Sequence, residues 1–178
     1  PNRYEVGLFD VTNLRRDNQL AYVQLFQLNY HTRDDRSSIV FGRQELITPF
    51  INPQDGRMHP GLSEGLWVSH KSKKGLRLEG GFIYRMAPRS TASWYTVEQT
   101  IGLYPVGVGV DGKPSRYKGR ITSPGIAMAG LTAPLKHKLT LTGWDMLVAN
   151  TFNTAMLQVE RGTREDRWMA GIMAIRQD

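Results

Sequence analysis

The feature that most constrains this chain is a two-residue alternation, repeated along its length and broken by Gly, Pro, Asn and Asp. Apolar, aromatic and β-branched residues recur at that period, which is the period of a strand with two unlike faces. No long stripe at i, i+3, i+4, i+7 with helix caps competes with it. The pattern predicts strands over 3–9, 19–32, 37–47, 64–72, 75–87, 124–134, 137–149, 152–161 and 166–176. The fold class is therefore all-β, an antiparallel up-and-down meander of about nine strands. Several exceed the roughly five or six residues usual in soluble sheets. They approach the roughly 9–11 residues that cross a bilayer core.

The connectors narrow the choice further. Segments 33–36, 73–74, 135–136 and 162–165 are tight, 10–18 is intermediate, and 48–63 and 88–123 are long. Only 150–151 is short where the alternation expects length. A transmembrane barrel places tight turns on the periplasmic side and longer loops outside, whereas a soluble sandwich has no reason to gather its long loops at one end. A structureless loop as long as 88–123 is also rare in a compact soluble domain unless it is functional. The chain reads as one partial barrel domain over 1–178, with 48–63 and 88–123 as external loops.

The faces agree, with two conflicts. In 75–87, Leu76, Leu78, Gly80, Phe82, Tyr84 and Met86 share one face, while Arg77, Glu79, Gly81, Ile83 and Arg85 share the other. In 152–161, Ala155, Leu157 and Val159 oppose Thr154, Met156, Gln158 and Glu160. An apolar face suits lipid and a charged face a lumen. Parity nevertheless groups Arg43 with Ile39 and Phe41, and Asp145 with Leu139 and Leu141. A bulge at the preceding Gly42 or Gly143 is the expected repair, returning each charge to the lumen. Trp67, Trp94, Trp144, Trp168, Tyr84 and Tyr95 are candidates for the aromatic girdles of the two interfaces.

Composition removes most chemistry. The chain has no Cys, which excludes a disulfide scaffold, a Cys zinc site and a thiol nucleophile. No Walker loop, G-x-S-x-G or H-E-x-x-H is present. His31, His59, His70 and His137 lack ligand spacing, so neither metal nor cofactor is expected, and no enzyme activity. The mean hydropathy of −0.40 and the lack of a long apolar run exclude a transmembrane helix, though not a barrel. The net charge of +7 calls for an anionic partner. Residues 99–144 hold Lys113, Arg116, Lys118, Arg120, Lys136 and Lys138 against the single acid Asp111, so this stretch supplies +5 of it. Tyr117 alone is thin support for a nucleic-acid groove, which needs stacking aromatics beside the cations.

The run Ile39-Val40-Phe41-Gly42-Arg43-Gln44, then Thr48-Pro49-Phe50-Ile51-Asn52-Pro53-Gln54-Asp55-Gly56-Arg57-Met58, then Glu64-Gly65-Leu66-Trp67 resembles the OprD family of outer-membrane porins. Gly75 to Tyr84 is similar to the strand that follows in that family, and 88–112 to its long external loop. The resemblance implies part of an eighteen-stranded, monomeric transmembrane β-barrel in the bacterial outer membrane. An odd number of strands that stops mid-pattern then implies a fragment, since single-chain bacterial barrels use even numbers. It also implies a pore for small anionic or zwitterionic solutes, narrowed by inward loops and lined by basic residues, with outer-membrane lipid outside and no nucleic acid. Carried over by position, Arg43 and Arg57 fall on the solute path. Arg77 and Arg85 follow by face parity, and Lys113, Arg116, Lys118 and Arg120 lie on or near the constricting loop. Glu79, Asp145 and Glu160 would face the cationic part of a zwitterion.

Such a pore has a simple physical logic. A lumen narrow enough to strip water makes an unpaired ion costly, so fixed opposite charges replace the lost hydration. Arginine suits carboxylates because its planar fork binds both oxygens and stays charged. The competing reading is a soluble basic β-protein that binds nucleic acid or another polyanion. It would bury Leu76, Leu78 and Phe82 in a dry core and leave Arg77 in water.

Overall fold

The computed structural model describes residues 23–53, 60–89, 93–101, 112–113, 119–163 and 165–178. The strands are β1 (Phe26–His31), β2 (Ser37–Gln44), β3 (Leu62–Lys71), β4 (Arg77–Ala87), β5 (Tyr95–Thr96), β6 (Ile126–Pro134), β7 (Leu139–Val148), β8 (Phe152–Arg161) and β9 (Ala170–Gln177). The short helix α1 (Val97–Ile101) follows β5. All nine strands form one antiparallel sheet in the order β1-β2-β3-β4-β6-β7-β8-β9, with β5 paired to the end of β4. This is the expected all-β meander. The expected strand at 3–9 lies outside the described residues.

Local chemistry sets the tight ends. At 72–76 the Gly75 amide donates to the Ser72 carbonyl (3.1 Å), and Gly75 takes a φ of +85°, which closes the hairpin with a glycine in the left-handed region. Between β6 and β7 the turn is built by His137 and Lys138, with φ of 59° and 58°. Positive φ at both central residues is the turn whose twist matches the flanking strands. The β8–β9 connection is longer than the expected 162–165. It runs to Met169 and is organised by Asp166, whose Oδ2 accepts from the amide (2.7 Å) and hydroxyl (2.9 Å) of Thr163.

The loop expected to be structureless over 88–123 contains β5 and α1. Thr96-Val97-Glu98-Gln99 is a capping box. The Gln99 amide donates to Thr96 Oγ1 (3.4 Å), and the Thr96 amide donates to Gln99 Oε1 (3.1 Å). Glu98 Oε2 accepts the Ser123 amide (3.4 Å), tying the helix to the far end of the same loop.

Cross-strand register defines two faces. The outer one carries Phe26, Leu28, Tyr30, Ile39, Phe41, Leu66, Val68, Leu78, Phe82, Leu147, Leu157 and Ile172. All of these are exposed, Leu78 at 44% and Phe82 at 40%. The inner face carries Val40, Trp67, Ile83, Ile126, Met128, Trp144, Val148 and Met156. On it pack Leu46, Phe50, Ile51, Val97 and Ile101 from the two long loops. The soluble reading fails here, because Leu78 and Phe82 sit outside and not in a dry core.

The expected bulges at Gly42 and Gly143 are absent: pairing runs without interruption through both residues. Gly42 has a φ of +119°, but the ladder absorbs it without a shift. The irregularity lies in the β3–β4 pair between Glu64 and Gly65, where β4 holds an extra residue. Tyr84 and Arg85 both turn toward Glu64 there, as a bulge turns two residues toward one. Trp67 and Trp144 are inner-face residues, not girdle residues.

Candidate functional site

The inner face is built around a tryptophan pair. Trp67 and Trp144 stack with ring centroids 6.4 Å apart and planes inclined by 14°. Each indole lies over a glycine of the neighbouring strand, Trp67 over Gly81 and Trp144 over Gly130. A side chain at either glycine would fill the place of an indole. The two rings, the floor of the inner face, share one buried cluster with Met128, Met156 and the fully buried Val97 of α1. Residues 45–53 cover the floor from the other long loop. There Thr48 Oγ1 accepts the Ile51 amide (2.8 Å), and a backbone bond from Thr48 to the Ile51 carbonyl (2.8 Å) closes the turn.

A charged cluster holds the start of the 88–123 loop. Glu64 Oε2 lies 3.5 Å from Arg43 Nε and 4.0 Å from Arg85 Nη1, and Tyr84 donates its hydroxyl to Glu64 Oε1 (3.3 Å). Both arginines also reach Trp94. Arg43 stacks 4.7 Å above its ring, and Arg85 Nη2 donates to its carbonyl (3.3 Å). Arg43 Nη1 donates in addition to the Val23 carbonyl (3.0 Å). One carboxylate thus gathers two guanidinium groups and leaves a single net positive charge. Arg43, Glu64 and Arg85 share one register row two residues beyond Phe41 and Leu66, at the loop end of the sheet. They form a clamp on the loop, and their arginines are not free charges.

Arg77 and Glu79 stand on the inner face near the tight turns, in rows with Lys71 and Thr132 and with Ser69 and Gly130. Glu160 shares the inner face on β8, opposite Thr140. Asp145 does not join them. It pairs with Ala129 and Ala155 in the outer rows beside Leu147 and Leu157, and the uninterrupted register through Gly143 keeps it there. Lys113 and Arg120 are exposed on the long loop. Arg57, Arg116 and Lys118 lie outside the described residues. Glu64 and Val97 carry no functional signal in the sequence, and Trp94 stands against the arginine pair and not at a membrane girdle. The capping box at Thr96 and Gln99 was the one local signal that structure begins again there.

Outside the spanning strands, Asp166 joins two turns by an ion pair with Lys138 Nζ. Its carboxyl is held down to about 2, first by that hydrogen bond and then by those from Thr163. Asp34 is lowered too, first by the Thr32 hydroxyl at 2.7 Å.

A sheet with an apolar outer face, an inner face covered by its own loops and turns gathered at one end is the wall of a membrane barrel. The family model of the OprD outer membrane porins matches residues 2–168.

This chain belongs to the OprD family.

Like other OprD-family porins it is a protein of the bacterial outer membrane. The solved structures show the same fold. Pseudomonas aeruginosa OccK2 (OpdF) is 20% identical with a TM-score of 0.60, over 80% of this chain and 35% of that one. Pseudomonas aeruginosa OccD3 (OpdP) is 12% identical with a TM-score of 0.68, over 89% and 35%. A BenF-like porin from Pseudomonas fluorescens Pf-5 is 16% identical with a TM-score of 0.60, over 80% and 34%. The matched part thus spans about a third of each of those chains. OccK2 has also been solved in complex with glucuronate, and OpdK of Pseudomonas aeruginosa with vanillate. Among curated protein sequences no match is found.

Proposed function

We propose that this chain forms part of the wall and constriction of a channel for small carboxylate-bearing or zwitterionic solutes. The observation that carries this reading is the folding of two long-loop segments, 45–53 and 93–101, onto the inner face of a sheet whose outer face is apolar. Loops packed inside a barrel narrow its bore, and a narrow bore makes the charge of the lining decisive. Arg77 and Lys71 supply inner-face positive charge, with Lys113 and Arg120 on the long loop and Glu79 and Glu160 as the opposing acids. The ligands of OccK2 and OpdK, glucuronate and vanillate, both carry a carboxyl group, which supports the substrate class. The channel works as a monomeric barrel with lipid against Leu28, Phe41, Leu78, Phe82 and Leu157.

The test is ion selectivity in planar bilayers. Reversing the charge at Arg77 (Arg77→Glu) removes two units of positive charge from the path and should shift the reversal potential toward cations. An unchanged reversal potential, with a barrel folded by gel mobility, takes Arg77 off the path.

A further inference from the structure

The tight-turn end carries a cavity apart from the tryptophan floor. It has a volume of about 520 Å³ and is lined by His137, Lys138, Arg161, Asp166, Arg167 and Trp168, with Met169 and Ala170 at its edge. That volume is in the range of small-ligand pockets. Three fixed cations and a histidine converge on it against one acid. Asp166 is committed to Lys138 and to Thr163. Among the described residues, Arg161 and Arg167 have no ionic partner.

The cavity's place in the membrane indicates what it meets. Arg161 and Ala170 stand in one row with Leu139, the row after Val159, Leu141 and Ile172 on the outer, lipid-facing side. Leu135 at the neighbouring turn is exposed, as are Trp168, Met169 and Ile172 at β9, the last strand of the sheet, which pairs on one side only. An unburied Trp beside a ring of aliphatics and cations is how a protein meets the headgroup level of a bilayer. Short turns of outer-membrane barrels face the periplasm, so the adjoining leaflet is the periplasm-facing one.

We propose that this cavity binds the phosphate of an anionic phospholipid headgroup from the periplasm-facing leaflet. Arg161 and Arg167 take the phosphate oxygens, the Lys138–Asp166 tie holds the two turns at the right separation, and Trp168 covers the glycerol backbone. Arg161 suits this because it leaves the outer face where acyl chains end, so one side of the ligand meets lipid and the other meets charge.

The experiment is native mass spectrometry of the full-length protein in detergent, titrated with phosphatidylglycerol, phosphatidylcholine or inorganic phosphate. Phosphatidylglycerol should be retained in preference to phosphatidylcholine. The Arg161→Gln/Arg167→Gln variant should bind it roughly thirtyfold more weakly, from about 1 kcal/mol for each cation near the surface. The variant Lys73→Gln/Lys74→Gln removes the same charge at another turn and should change retention little. Arg167→Gln alone, at an exposed turn position, gives a partial loss even if the double variant folds poorly. Equal loss in the Lys73/Lys74 variant would reduce the effect to bulk charge and overturn the site. Equal retention of phosphatidylcholine, or displacement of lipid by equimolar inorganic phosphate, would overturn the lipid assignment.

Discussion

The tryptophan floor gives a prediction whose size follows from the structure. A Cβ added at Gly130 would stand 2.5 Å from Cε2 and Cζ2 of Trp144 and 2.6 Å from Cδ2. Carbon atoms rest at about 3.5–4.0 Å, so the indole would have to retreat by about 1 Å. It has little room to do so, because Trp144 is 8% exposed and stacked on Trp67. Overpacking of this kind costs about 1–3 kcal/mol, and a disturbed aromatic pair adds up to about 1 kcal/mol. Replacing glycine returns roughly 0.5 kcal/mol through the unfolded chain. Gly130→Ala should therefore lose about 2–3 kcal/mol in urea unfolding in lipid vesicles, followed by far-ultraviolet circular dichroism. Gly143→Ala is the matched control. It adjoins Trp144 on the same strand but faces the other way, and its nearest neighbour would be Leu157 Cδ1 at 3.8 Å, an ordinary contact. That variant should stay within about 0.5 kcal/mol of the parent. In a Trp144→Ala background the penalty of Gly130→Ala should vanish. Equal stability of the two glycine variants, or a full penalty without Trp144, would refute the argument. Because Val97 belongs to the same buried cluster as Trp144, Gly130→Ala should also alter single-channel conductance.

Three further outcomes follow. Glu64→Gln leaves Arg43 and Arg85 without their shared carboxylate, so the Trp94 segment should loosen, seen as greater open-channel noise and faster proteolysis within 88–123; parent-like behaviour would show that the clamp is idle. Asp145→Ala should leave ion selectivity unchanged and keep or raise stability in urea, since Asp145 sits in an outer row where charge gains nothing from lipid; lost selectivity would return Asp145 to the solute path. Asp166 has a depressed folded value of about 2 against an unfolded value near 3.9. Its contribution is therefore present above about pH 4 and is lost as pH falls toward 2. The protection of the Thr163 amide, taken against its intrinsic exchange rate at each pH, should fall across that window, and Asp166→Asn should abolish that fall.

The sequence by itself determined the long strands from 37 onward and their antiparallel order, while the two-residue β5 inside 88–123 left no such signal. Leu76 to Phe82 alternates so regularly that no helix and no dry core fits it, whereas past the β4 bulge Met86 packs against the inner cluster. Tight turns at Gly75 and at His137-Lys138 leave neighbouring strands no choice but to pair antiparallel. These are properties of residues close together in the chain, and period and turn chemistry are local. The run from Ile39 to Trp67 named the family, because it carries a loop and not only strands. Parity placed Arg77, Glu79 and Glu160, but the tertiary structure alone decided where Arg85 and Asp145 stand. Parity set Arg85 with Arg77, but the extra residue in β4 turns it toward Glu64. A bulge depends on the partner strand and leaves no mark in its own alternation. Gly143 looked like the place to rescue Asp145, yet the ladder runs straight through it, since its backbone is held on both sides by β6 and β8. Alternation alone makes Trp67 and Trp144 candidates for a membrane interface. They form the floor of the inner face because Gly81 and Gly130, each on the neighbouring strand, leave the hollows that two indoles fill.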